Sequence, residues 1–211
     1  FAINYFNTRA TWLYDFYNLL AARSVFAVGA RIFFKGRLRE TLLGEPALGR
    51  RLLLIVNYPN GPAFLDLMAG RYFQMVSLLR ILAAKNFSFT LQRRLGGTQL
   101  LTERVQPLSA GKSYAIYHFQ TDDSLEIVFR EFNSMSSSAK LRIHYAGYIA
   151  ANVAIEKTGR APEAIEHIIR QLILVEADDE AKLRQFFQSD AFRKLATRNT
   201  QSYVGLLARR M

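Results

Sequence analysis

Three histidines, at positions 118, 144 and 167, carry the side chains best suited to proton transfer, because an unperturbed imidazole titrates near pH ~6.5. His118 lies in an apolar, strand-like run, whereas His144 follows a helical stretch and His167 lies in a polar turn. We expect His118 to be catalytic, together with Tyr5, which stands at the corresponding position of an internal repeat described below. A structural histidine at the end of a strand or helix is the alternative for His118 and His144.

Aromatic residues are unusually frequent, with 16 Phe and 10 Tyr. Phenol rings combine apolar area with a polar tip, so they are suited to line a pocket for a flat apolar ligand and to orient it. Core packing and, for an arginine at a helix end, the helix dipole are the alternatives. The expected ligand-binding residues are Tyr117, His144, Tyr58, Tyr72 and Arg80.

Other chemistry is excluded by what the sequence lacks. There is no cysteine, so no disulfide, thiol nucleophile or thiolate metal site can form. The sequence also has no His-x-x-x-His pair, no phosphate-binding Gly-rich loop followed by Lys, and no Gly-x-Ser-x-Gly elbow. We therefore expect neither a metal nor a cofactor.

The net charge of +11 is concentrated in the first half of the chain. Up to Gly111 there are 14 basic and 5 acidic residues, against 14 basic and 12 acidic residues afterwards. The basic cluster Arg31–Arg51 is compatible with an anionic ligand or nucleic acid, but no nucleic-acid-binding motif accompanies it, so no nucleic-acid partner is expected. No uncharged apolar run approaches ~18 residues and no signal peptide is visible, so we expect a cytoplasmic protein without a membrane partner.

The chain is predicted to be a tandem duplication. Phe1–Phe6 aligns with Tyr114–Phe119, and three later segments align in the same order with offsets that differ by only a few residues. The predicted domains are residues 1–106 and 107–211, joined by a linker over 95–112.

Each half reads as strand, helix, strand, strand, helix, strand, which is the order of a ferredoxin-like unit. Both faces of strands such as Leu52–Val56 are apolar, so the sheet face away from the helices must also be covered. We expect the two antiparallel sheets to pack together as an intrachain dimeric α+β barrel, giving a pseudo-two-fold monomer or a homodimer. Among the expected elements are a strand at 31–34 with a long connection after it, a break in the second helix at Gly70, a strand at 149–155, and a helix start at the acidic run 178–180.

The segments RLLLIVNYP (51–59), AFLDLM (63–68), AGRYFQ (69–74) and the pair Leu79-Arg80 resemble an uncharacterised bacterial family of the dimeric α+β barrel superfamily. Members of that family are single repeats that dimerise, and the superfamily includes cofactor-free monooxygenases, EthD-like proteins, muconolactone isomerase-like enzymes and haem-binding relatives. The resemblance implies a ligand cleft between a sheet and its helices. It transfers no catalytic residue by name.

The function predicted from the sequence is binding or transformation of a small apolar or aromatic molecule in a sheet–helix cleft, without a cofactor. Two alternatives stay open: a non-catalytic structural or regulatory protein, and an anion or nucleic-acid binder that uses the basic first half. Whether the protein is an enzyme is left undecided.

Overall fold

The structure, a computed structural model, describes residues 1–45, 50–95, 111–152 and 171–209, which form eight strands and six helices. In chain order these are β1 (Ala2–Thr8), α1 (Thr11–Ala27), β2 (Arg31–Leu43), β3 (Leu52–Asn57), α2 (Gly61–Ala69), α3 (Arg71–Ala83), β4 (Ala84–Arg94), β5 (Ser113–Gln120), α4 (Leu125–Ser138), β6 (Arg142–Asn152), β7 (Gln171–Ala177), α5 (Glu180–Gln188), α6 (Asp190–Arg198) and β8 (Gln201–Arg209).

The strands form a closed barrel in the order β1-β3-β2-β8-β5-β7-β6-β4. The pairings are antiparallel: β1 lies between β3 and β4, and β5 lies between β7 and β8. Both repeats therefore show the ferredoxin-like element order, and the predicted α+β barrel fold is confirmed.

The second helix of each repeat is broken into two. At Gly70, where the sequence predicts a break, the backbone is extended, so α2 ends and α3 begins at that residue. In the other repeat the backbone is extended at Ser189, where α5 ends and α6 begins. The Ser189 hydroxyl donates to the Phe186 carbonyl and accepts from the Phe192 amide, so it caps α6.

Side-chain caps also fix the start of two helices. The Asn60 side chain accepts the Ala63 amide at 2.8 Å ahead of α2, which carries Pro62 in its first turn. The Asp179 carboxylate accepts the Lys182 amide at 2.8 Å ahead of α5, so the acidic run marks a helix start as predicted.

Two strands differ from the sequence-based expectation. β2 continues through Leu43, although the sequence predicts a connection after residue 34. The second part of the strand forms because it pairs with β8. The position of β8 in the sheet cannot be inferred from the local sequence of β2. β6 begins at Arg142, well before the predicted 149–155, and pairs with β7 from Arg142 to Tyr148.

The described chain divides into two compact units. Among the described residues, unit 1 comprises 1–35, 50–91 and 151–152, and unit 2 comprises 36–45, 92–95, 111–150 and 171–209. The predicted boundary between residues 106 and 107 lies outside the described residues, as does His167, so the division into repeats at that point stays a prediction.

Each unit has its own core on the helix side of its sheet. In unit 1 the helix-facing residues of β1, Ala2 and Phe6, pack with residues of α1, α2 and α3. In unit 2 the corresponding layer is an aromatic cluster, whose members are Tyr117, Phe119, Phe129, Phe132, Phe186, Phe187 and Phe192.

Candidate functional site

A pocket with a volume of about 90 Å³ lies between the sheet and the helices of unit 1 and opens to solvent on one side. Its wall is mainly apolar. The polar or polar-tipped residues that line it are Asn4 from β1, Tyr14, Tyr17 and Asn18 from α1, Tyr58 from the start of the β3–α2 connection, and Arg80 from α3.

The repeat explains why this space is empty in unit 1. In the alignment of Phe1–Phe6 with Tyr114–Phe119, Asn4 corresponds to Tyr117. The Tyr117 ring fills the helix side of unit 2, with ring centroids 5.6 Å from Phe132 and 5.0 Å from Phe192. The shorter Asn4 side chain leaves room at the same position, and its amide donates to the Leu54 carbonyl at 3.2 Å.

Several hydrogen-bonding groups on the pocket wall have no partner among the described residues. The hydroxyls of Tyr17 and Tyr58 make no hydrogen bond with a described residue. The buried amide nitrogen of Asn18 has no partner with full hydrogen-bond geometry, although the Asn18 side chain is close enough to the Tyr14 hydroxyl to oppose the rise in its pKa. Because the pocket opens to solvent, these groups are available to bind water or a ligand, and leaving one fully buried without either would cost about 1–3 kcal/mol.

Arg80 is the one charged residue of this wall among the residues that the structure describes. Its guanidinium lies 4.3 Å from the centroid of the Phe87 ring, and no described carboxylate pairs with it. Arg80 is close enough to Tyr14 and Tyr17 to oppose the rise in the pKa of both phenols. The pocket therefore combines apolar walls with a positive charge that is only half exposed.

The three phenols are neutral over the physiological range. Burial raises the pKa of Tyr14, with a further contribution from Tyr17, while Asn18 and Arg80 act in the opposite direction. Burial also raises the pKa of Tyr17 and of Tyr58. Neutral hydroxyls can donate hydrogen bonds, so this wall presents donors and a cation.

Of the predicted ligand-binding residues, the structure brings Tyr58 and Arg80 together in this pocket. Tyr72 is outside it, on the exposed side of α3, where its hydroxyl donates to the Leu20 carbonyl at 3.4 Å. Tyr117 belongs to unit 2, where Asn199 donates to its hydroxyl and burial raises its pKa to about 12.

The predicted catalytic residues do not line the pocket. Tyr5 lies on the face of β1 opposite Asn4, because side chains alternate along a strand. His118 belongs to unit 2, where its Nδ1 is 3.3 Å from the Gln171 carbonyl and its ring stacks on Tyr203. Burial lowers the pKa of His118 to about 4.

His144 forms a buried polar cluster in unit 2 with Glu176 and Tyr114. Its Nε2 and the Tyr114 hydroxyl each lie 2.8 Å from Oε2 of Glu176, and both donate to this carboxylate. Burial lowers the pKa of His144 although Glu176 acts in the opposite direction. The imidazole therefore acts as a neutral donor that satisfies a buried carboxylate.

Three pocket residues, Asn4, Tyr14 and Asn18, were not among the residues predicted from sequence. Two signals in the sequence could have identified them. Asn4 is a polar residue at a helix-facing position of an apolar strand, and Tyr14 and Asn18 are four residues apart on one helix, which places them on the same face.

The basic cluster Arg31–Arg51 is partly neutralised by its surroundings. Within unit 1, Lys35 lies 3.9 Å from Asp15, and the Arg50 guanidinium donates to the Asn86 carbonyl. Within unit 2, Arg39 pairs with Glu180 at 3.1 Å. These partners argue against a continuous surface of unpaired cations.

None of the helices in the described ranges is both long and apolar enough to cross a membrane. In the same ranges no group of three or more His, Asp or Glu side chains is arranged to hold a metal ion.

No protein-family model and no curated protein sequence matches the chain. Among solved structures, it is similar to a candidate monooxygenase from Fusobacterium nucleatum, with a TM-score of 0.56, 8% identity, and coverage of 99% of this chain and 90% of that one. An anthrone oxidase-like protein gives a TM-score of 0.55 at 8% identity over 100% of this chain and 90% of that one.

A mutant chlorite dismutase from Candidatus Nitrospira defluvii gives a TM-score of 0.52 at 11% identity over 98% of this chain and 91% of that one. At these identities the likeness concerns the fold alone. The chain has the α+β barrel fold of these structures.

Proposed function

We propose that the pocket of unit 1 binds a small aromatic molecule that carries an anionic oxygen, such as a carboxylate or phenolate. The observation that carries the proposal is a set of donors on an otherwise apolar wall that have no hydrogen-bond partner among the described residues: the Tyr17 and Tyr58 hydroxyls and the Arg80 guanidinium. A flat apolar body would cover the wall, and an anionic oxygen would accept these hydrogen bonds.

The size of the pocket limits the ligand. A cavity of ~150 Å³ takes benzene, whereas the enclosed volume here is about 90 Å³. A ligand with one ring would therefore project through the open side, or the side chains would move to admit it. Ligands with several fused rings fit less well.

The α+β barrel fold that the chain shares with a candidate monooxygenase and an anthrone oxidase-like protein is compatible with a small-molecule ligand. The resemblance to the uncharacterised bacterial family of this superfamily is the finer part of the proposal, and it rests on residues 51–59, 63–74 and the pair Leu79-Arg80.

The pocket residues favour binding over catalysis. Its titratable groups are phenols with a raised pKa and an arginine, so the described wall offers donors and a charge but no side chain that accepts a proton near neutral pH. A catalytic role for His118 or for Tyr5 would require a site other than this pocket.

The test compares three probes of one ring in calorimetric titrations and thermal-shift assays: benzoate, benzyl alcohol and benzylammonium. We expect benzoate to bind most tightly, benzyl alcohol less tightly and benzylammonium most weakly, because Arg80 attracts the anion and repels the cation. Arg80→Gln should remove the preference for benzoate over benzyl alcohol. Arg130→Gln, an exposed arginine of unit 2, is the matched control.

A second variant separates binding in the pocket from binding elsewhere. Ala21 is buried on the pocket wall, so Ala21→Leu should occlude the space and abolish the binding of benzoate and of benzyl alcohol. Ala27→Leu on the exposed side of the same helix should bind as the unchanged protein does. Equal benzoate binding by the Ala21→Leu and unchanged proteins would refute the proposed site.

A further inference from the structure

Large apolar side chains are exposed on one layer of unit 1. Eleven of the twelve exposed large hydrophobic residues of the described chain belong to unit 1, and the exception is Ile127. On α1 they recur at Trp12, Phe16 and Leu19, and on α3 at Tyr72, Met75 and Leu78. These spacings place each set on one face of its helix. We call these six residues the α1–α3 strip.

The strip is continuous because α1 and α3 pack side by side and run in opposite directions. At one end the Arg9 amide donates to the Ala83 carbonyl at 2.8 Å, which joins the start of α1 to the end of α3. At the other end Tyr72 reaches the Leu20 carbonyl. Trp12 therefore lies towards the C-terminal end of α3, and Leu19 lies towards its N-terminal end.

Cations are present at both ends of the strip. Arg9 and Lys85 flank the end where α1 begins, and Arg23 and Arg71 flank the other end. All four are exposed, and none forms an ion pair in the described structure.

Unit 2 differs from unit 1 in that Ile127 is its one exposed large hydrophobic residue among the described residues. Five exposed or half-exposed cations of unit 2 also pair with carboxylates, while others such as Arg130 do not. The five paired cations are Arg39, Lys112, Lys182, Arg184 and Arg198.

Acidic residues near the strip do not cancel this charge. Asp15, beside Phe16 on α1, lies 3.9 Å from the Lys35 ammonium, so its charge has a partner within unit 1. Asp66 on α2 is the other exposed carboxylate of these three helices. The α1–α3 strip is thus an apolar surface with unpaired cations at both ends.

We propose that the α1–α3 strip docks on the surface of an anionic lipid bilayer, with its aromatic and aliphatic side chains at the level of the headgroups. An apolar helix face flanked by Lys and Arg binds such interfaces, and each cation near the surface contributes about 1 kcal/mol. A second copy of the chain fits the strip less well, because its apposition would bring two sets of four unpaired cations together. The proposal departs from the sequence-based expectation of no membrane partner, and it does not depend on the ligand proposed for the pocket.

The single tryptophan of the chain is Trp12, which is 73% exposed, so its fluorescence reports directly on the strip. The experiment mixes the full chain with vesicles of phosphatidylcholine alone or with phosphatidylglycerol added. With the anionic vesicles we expect co-sedimentation, a shift of Trp12 emission to shorter wavelength, and quenching by lipids brominated in the acyl chain. Phosphatidylcholine vesicles should bind at least tenfold less protein.

Two variants test the two parts of the proposal. The double variant Phe16→Ser/Leu78→Ser removes apolar area from exposed positions of the strip and should reduce vesicle binding at least tenfold. The control variant Ile127→Ser, in unit 2, should bind vesicles as the unchanged protein does. Arg23→Gln/Arg71→Gln removes two flanking charges and should weaken binding roughly 30-fold. Thermal unfolding followed by circular dichroism checks that each variant is folded.

Three results would overturn the proposal. The first is the absence of binding to anionic vesicles. The second is equal binding by the unchanged protein and Phe16→Ser/Leu78→Ser, which would mean attraction by surface charge alone. The third is a dimer in sedimentation without lipid that Phe16→Ser/Leu78→Ser converts to a monomer, which would identify a second copy as the occupant.

Discussion

At the scale of single residues, the buried imidazole of His118 should make folding sensitive to acid. Its pKa in the folded protein is about 4, against 6.5 in the unfolded chain. As the pH falls below 6.5 the unfolded state takes up a proton and the folded state does not, so stability is lost between pH 6.5 and 4 and is unaffected above. Each pKa unit corresponds to 1.36 kcal/mol, so the loss at pH 5 is about 2 kcal/mol.

Urea unfolding of the unchanged protein and of His118→Phe, at pH 7.5 and at pH 5, measures this contribution. His144 is present in both proteins, so the difference between their pH dependences belongs to His118. The variant should lose about 2 kcal/mol less than the unchanged protein over this interval. Identical pH dependences would show that the imidazole is not held neutral.

Tyr114→Phe is expected to destabilise the fold by about 1–3 kcal/mol, because it removes one of two donors to the buried Glu176 carboxylate. The measurement is the free energy of unfolding in denaturant. Tyr148→Phe is the control, since the Tyr148 hydroxyl is in the same sheet and makes no hydrogen bond with a described residue. Equal losses in the two variants would mean that Glu176 does not depend on Tyr114.

Sequence could identify part of the candidate site but not its location. Tyr58 and Arg80 were predicted from residue type alone, and they line the pocket. Sequence could not tell which unit leaves space between sheet and helices, because this depends on packing. The decisive difference is the exchange of Tyr117 in one repeat for Asn4 in the other, and its effect depends on how the surrounding rings fill the layer.

At the scale of elements, the end of β2 depends on a residue without a side chain. Gly44 has a φ of +67°, and a Cβ atom there would collide with the Ser202 carbonyl oxygen of unit 2. Gly44→Ala should therefore cost about 1–3 kcal/mol through backbone strain and the close contact. Gly61→Ala, at the start of α2 with open space around it, should be nearly neutral in the same thermal unfolding measurement.

Elements with strong local signals were predictable, and elements defined by a distant partner were not. The helix start at Asp179 and the break at Gly70 follow from capping and backbone preferences of nearby residues. The second part of β2 carries Arg37, Arg39 and Glu40 and lacks apolar alternation, so nothing local marks it as a strand. Its strand geometry comes from pairing with β8.

At the scale of the whole molecule, each of the eight described strands has a neighbour on both sides, since β8 is paired with β2 and β6 neighbours β4. A fragment of residues 107–211 would lose both β2 and β4, so two edges would be exposed. We expect this fragment to self-associate or aggregate, which sedimentation measures directly. A stable, monomeric fragment would contradict the need for both repeats.

The pairing of β2 with β8 also affects how the protein emerges from the ribosome. Gly36 pairs with Arg209, and most of the chain lies between them. During translation, the edge of β2 that pairs with β8 therefore stays unpaired until β8, the last described strand, has been synthesised. Contacts between residues so far apart in the chain form late. The charged side chains Arg37, Arg39 and Glu40 on this edge would discourage pairing between nascent chains during that interval.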